Sequence, residues 1–93
     1  SYLNRFTTNP PSMGLVDIRN VTTATDFITS AMSTANVNAT LTGWVNNFDW
    51  SAIPTVANKV TFDFKGSTYN ASALSAKTFL EGKGIIFTNL TLV

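Results

Sequence analysis

Val60-Thr61-Phe62-Asp63-Phe64-Lys65-Gly66-Ser67-Thr68-Tyr69-Asn70-Ala71-Ser72-Ala73 is the stretch that decides the fold. Its first five residues alternate apolar and polar, the period of a strand with one buried face. Asn70 or Ser72 then offers a side-chain oxygen to open a helix. Ala73, Ala76 and Leu80 follow at helical spacing, and Gly82 stands where a left-handed C-cap is expected. A second apolar run, Ile85-Ile86-Phe87-Thr88, comes next. The stretch therefore reads as strand, helix, strand.

Working outward, two more short runs have the same character: Leu15-Val16-Asp17-Ile18-Arg19 and Asn38-Ala39-Thr40-Leu41-Thr42. With Ile18, Leu41, Phe62 and Ile86 as inward centres, the runs lie 23, 21 and 24 residues apart. One strand plus one helix every 20–29 residues is the leucine-rich-repeat period. The segments between the runs fit helices. Thr23 with Asp26 three residues on forms a start signal, and Ala24, Phe27, Ile28 and Ala31 share a face. Trp44, Val45 and Phe48 share another, ending at Ile53-Pro54 because Pro disfavours helix before it. The expected fold is thus α/β: a short leucine-rich-repeat solenoid of three to four repeats over residues 15–93. Residues 1–14, with Asn9-Pro10-Pro11-Ser12, read as a linker or lead-in.

The quoted stretch, with Ala76, Leu80, Gly84 and Thr88, resembles the closing repeat of BspA-like leucine-rich-repeat proteins. That unit has an apolar strand, a Gly and a Tyr a few residues apart, an Ala-rich helix, and a Gly before a final strand. Leu41 and Trp44 resemble the helix opening of the penultimate repeat. The resemblance covers residues 38–89 well and 15–37 loosely. It departs at Ile85, where the family usually has Trp, and after Thr88, where Asn89-Leu90-Thr91-Leu92-Val93 replaces a Gly-rich tail. The last strand is accordingly expected to be longer than usual or to pair with another chain. The family occurs in bacterial surface proteins and phage tail-associated proteins, so the resemblance implies a structural or attachment role.

Composition narrows the function classes. For 93 residues, size scaling gives roughly 5,200 Å² of folded surface against about 14,500 Å² unfolded, enough to bury a modest core. Hydrophobic residues make up 44% and charged residues only 12%, with net charge +1, which argues for a folded chain. The six basic residues (Arg5, Arg19, Lys59, Lys65, Lys77, Lys83) are scattered, whereas phosphate-backbone binding needs them clustered, so no nucleic-acid partner is expected. No apolar run reaches membrane-spanning length. Without Cys or His, the sulfur-based zinc site, the disulfide frame and the usual neutral-pH base are all missing. We therefore expect no cofactor and no enzymatic activity. Ser1–Pro11 has no signal-peptide layout, and a start without Met reads as a processed chain or a segment of a longer one. Abundant Thr and Asn with little charge suits a virion or extracellular surface.

Asp17 and Asp63, each between inward residues on an expected strand, should face outward. With Arg19, Thr40, Thr42, Thr61, Lys65 and Thr88 they form either a polar recognition strip for other protein chains or a glycan, or a solvated face whose charges discourage edge pairing. An acid pair for glycoside hydrolysis needs a cleft that a flat sheet lacks. Trp44 and Tyr69 are expected to fill the core; Trp50, beside Asp49 and Ser51, fits either the core or the surface. Gly82-Lys83-Gly84 lacks the frame of a phosphate loop. The four sequons at Asn20, Asn38, Asn70 and Asn89 are what ten Asn and 23 Ser or Thr yield by chance. Lys77 and Glu81, four apart on a helix, should pair weakly. The segment led by Tyr2-Leu3-Asn4-Arg5-Phe6 has no polar cap, so contact with a preceding domain or another copy is expected there.

Overall fold

The computed structural model describes residues 10–24, 27–56 and 60–93. In chain order they form helix α1 (Thr34–Asn46), strand β1 (Thr61–Tyr69), a 3₁₀ turn (Ala71–Ala73) running into helix α2 (Leu74–Gly82), and strand β2 (Ile86–Leu92). The two strands pair in parallel and α2 is the crossover between them. This is a small α/β domain of two helices and a two-stranded parallel sheet. Its accessible surface, 4892 Å², lies near the size-scaled value of roughly 5,200 Å².

The strand–helix–strand reading of residues 60–92 matches the observed elements. Asn70 caps the 3₁₀ turn by accepting from the Ser72 amide at 3.0 Å. Ala73, Ala76 and Leu80 form the buried stripe, and Lys77 meets Glu81 at 2.9 Å. The left-handed residue, however, is Gly84 (φ +93°) rather than Gly82, which ends the helix itself. β2 runs four residues past Thr88.

Among the described residues no solenoid forms, and two of the four expected strands are absent. Asn38–Thr42 lies inside α1. Ser33 caps that helix, accepting from the Asn36 amide at 3.2 Å. Val37, Thr40, Leu41 and Trp44 then bury at helical spacing; this longer period overrides the alternation of five residues. Leu15–Arg19 is a pair of turns closed by Val16 N–H to Met13 O at 2.9 Å and Val21 N–H to Ile18 O at 3.2 Å. Asp17 turns its carboxylate back onto the Arg19 amide at 3.0 Å, a local bond that competes with a strand ladder. Among the described residues the helix expected from Thr23 does not form either. Phe27 and Ile28 are buried neighbours while Ala31 is exposed, so no single face is buried, and the β-branched pair Ile28-Thr29 inside the expected span lowers helix propensity; Asp26 lies outside the described residues. The helix through Trp44 stops at Asn46, before Phe48 and well short of Pro54.

The core is aromatic. Phe27 sits edge-on to Phe62 and Phe64, each at 5.1 Å, and Trp44 lies 4.8 Å from Phe62. Trp44, Trp50 and Tyr69 are all buried, which settles Trp50 as a core residue; its Nε1–H donates to Trp44 O at 2.8 Å. Residues 10–14 belong to this packing. Their backbone is strapped along one face of α1: Thr40 Oγ1 accepts from the Met13 amide at 2.9 Å, Trp44 Nε1 donates to Met13 O at 2.8 Å, and Asn47 Nδ2 donates to Gly14 O at 2.9 Å. Gly43 permits the approach, since a Cβ there would stand 2.5 Å from Gly14 Cα.

Candidate protein-contact face

β1 directs Phe62, Phe64, Ser67 and Tyr69 inward. Its outward side carries Thr61, Asp63 and Lys65, and in register with them β2 presents Ile86 opposite Thr61 and Thr88 opposite Asp63. The register then slips, because four steps along β1 from Asp63 to Ser67 face two along β2. Lys65 (φ +55°), Gly66 (φ +86°) and Asn89 (φ +53°) absorb the bulge in left-handed conformations. Asp63 holds it: its Oδ1 accepts from the Lys65 amide at 2.8 Å and from Asn89 Nδ2 at 2.9 Å, while Oδ2 lies 3.4 Å from Lys65 Nζ. Beneath, Ser67 Oγ donates to Phe64 O and accepts from the Met32 amide.

The eight residues expected to share one strip divide among three places. Thr61, Asp63, Lys65 and Thr88 stand together on the outer sheet face. Asp17 and Arg19 form a 2.7 Å ion pair in the turn, where Arg19 also donates to Asp49 O at 2.8 Å and covers the Phe48 ring. Thr40 is fully buried as the strap's acceptor, and Thr42 lies on a groove of about 280 Å³ between α1 and α2, with Val45, Ser75 and Phe79. A second open groove of about 330 Å³ runs beside Arg19, Val21, Ile53 and Pro54. Among the described residues no cluster of three acidic side chains is placed to hold a metal ion, and no helix is long and apolar enough to cross a membrane.

The sequence predicts Ile86 as an inward centre and the run after Thr88 as a longer strand or a contact with another chain; Ile86 instead turns outward, opposite Thr61. Ile86 (41% exposed), Leu92 (48%) and Val93 (70%) all lie on β2 or its end. The signal was present as an eight-residue run, Ile86 to Val93, with no charge, Pro or Gly. Leu15, 85% exposed, is a separate apolar site in the turn.

Electrostatically, the Asp63 carboxyl is held below its ordinary value, first by the Asn89 side-chain hydrogen bond and then by the Lys65 amide. Asp17 is lowered chiefly by its hydrogen bond with the Arg19 side chain, and Asp49 by the Ser51 amide. A carboxyl lowered on folding contributes stability that is complete above its unfolded value, about pH 4, and is lost as pH falls through the folded one. Urea midpoints are therefore expected to fall below about pH 4, and Asp63→Asn should flatten part of that slope. Equal midpoints at pH 3 and pH 7 would contradict these bonds.

Comparison with family models, curated proteins and solved structures gives no match for this chain.

Proposed function

We propose that this chain is a non-catalytic structural or attachment module, working through protein–protein contacts in a virion assembly of the phage-tail-associated kind. The β1–α2–β2 unit is in this reading the closing repeat of a leucine-rich-repeat stack. One observation carries the reading: the unit that resembles a closing repeat has a parallel strand with an uncharged, part-apolar run and no described neighbour beyond it. Solenoid units bury their faces against adjacent units, so such a strand is suited to a contact. The low charge and the Thr- and Asn-rich surface fit an exposed location. The resemblance equally accommodates a bacterial cell-surface adhesion module that binds a host protein or glycan through the outer sheet face, with Thr61, Asp63 and Lys65 as its polar contacts.

Antibody labelling and mass spectrometry of purified particles and of cell-wall fractions from the source distinguish the two. The proposal expects the chain in particles, at fixed stoichiometry to other particle proteins. Recovery in the cell-wall fraction alone favours adhesion. Recovery only as a cytosolic protein contradicts both.

A further inference from the structure

We propose that β2 joins a second copy of this chain edge to edge, in an antiparallel two-fold pairing centred between Asn89 and Leu90. The inference rests on the reading that the chain acts through protein contacts, and it names one such contact. Among the described residues β2 has a strand on one side only. Ile86 N–H donates to Val60 O at 2.9 Å and Val93 N–H to Tyr69 O at 2.9 Å. Backbone groups alternate sides along a strand, so the N–H and C=O of Phe87 and Leu92 point away from β1. A row of outward-turned backbone groups, with no partner among the described residues, recognises another extended strand.

The side chains select which strand. Phe87, Leu90 and Leu92 sit opposite the buried Phe62, Ser67 and Tyr69, while Ile86, Thr88 and Thr91 sit opposite the outward Thr61, Asp63 and Thr68. The left-handed Asn89 thus exchanges the two faces midway along β2. That exchange is what makes β2 complementary to itself. In the two-fold register, Ile86 faces Val93, Phe87 faces Leu92 and Thr88 faces Thr91 of the other copy. Each pair shares a face and matches apolar with apolar or Thr with Thr, pairings that stabilise sheets. The Phe87–Leu92 pairs are those whose outward backbone groups exchange both hydrogen bonds. The three exposed apolar residues of this segment each gain a partner, no charge opposes the contact, and an isologous pairing closes at a dimer.

The chain has no Cys, which permits a clean test. Thr88 and Thr91 of the other copy form a non-hydrogen-bonded pair, at about 4.5 Å between Cα atoms, within disulfide reach. The Thr88→Cys/Thr91→Cys variant should give a covalent dimer on mild oxidation, and Thr88→Cys alone should give at least tenfold less. Unmodified chain should reach twice the monomer mass by light scattering as concentration rises, and Ile86→Lys should raise the dissociation constant at least tenfold. Adding Val93→Glu to Ile86→Lys places opposite charges across each pair and should recover much of that loss. A folded monomer at several hundred micromolar overturns the pairing, while particle localisation still decides the proposed function. A dimer that the double-Cys variant does not trap, or that Ile86→Lys leaves intact, overturns the register and with it the proposal.

Discussion

Trp44→Ala should lower the unfolding free energy by about 3–5 kcal/mol, the cost of emptying a large aromatic site. Trp44 is fully buried and touches Phe27, Phe62 and Phe64, so it connects α1 to β1 and to the segment before α1. Its Nε1–H also satisfies Met13 O, which Ala leaves without that donor. Against a total of about 5–15 kcal/mol for a domain, a loss of this size leaves a marginal fold. Urea denaturation followed by circular dichroism measures it; a shift below about 1 kcal/mol would remove Trp44 from the centre of the core. Trp44→Phe keeps most of the ring area and should lose less than half as much.

Gly43→Ala should also destabilise, by about 2 kcal/mol, and here the sign is the test. In an ordinary helix interior, Gly to Ala gains about 1 kcal/mol. At Gly43 the new methyl would meet Gly14 Cα at 2.5 Å and Gly14 O at 2.7 Å. Both are backbone, so the strap must move away from α1. Moving it breaks the bonds to Thr40, Trp44 and Asn47, at about 1 kcal/mol each, and outweighs the propensity gain. A stabilised Gly43→Ala variant would mean that residues 10–14 do not lie on α1. Gly82→Ala serves as the internal comparison, because nothing stands within 4 Å of a Cβ there.

These two residues also show what was legible in the sequence. Residues 60–92 were readable because local signals agreed: alternation, an Asn cap, an Ala–Ala–Leu stripe and a glycine near the turn all favour the same elements. Asn38–Thr42 misled because five residues contain both periods. The deciding marks, Ser33 as cap and Trp44 seven residues after Val37, lie outside that window. Thr40 read as a surface hydroxyl because a Thr on a strand and a Thr beneath a strap look alike until the strap is placed. The strap depends on Gly14 and Gly43, which are 29 positions apart and carry no local pattern. Asp17 and Arg19 were expected on the outer face of a strand, but that strand does not form and their own ion pair holds a turn. Of the expected strip Thr61, Asp63, Lys65 and Thr88 remain together, because they sit on the two strands that formed. Ile86 was expected inward and lies outward, because an uncharged run at a strand's end looks the same whether it is core or edge.

Residue-resolved amide hydrogen exchange at several protein concentrations is the most direct test of an open β2 edge that closes on a second copy. The amides of Ile86 and Val93, bonded to β1, should be protected at every concentration. Those of Phe87 and Leu92 should exchange freely in dilute solution and become protected as dimer accumulates. Protection of Phe87 and Leu92 that is already complete at the lowest concentration would show the edge covered within one chain. Free exchange at these two amides while light scattering reports a dimer would place the contact elsewhere, and either result contradicts the account.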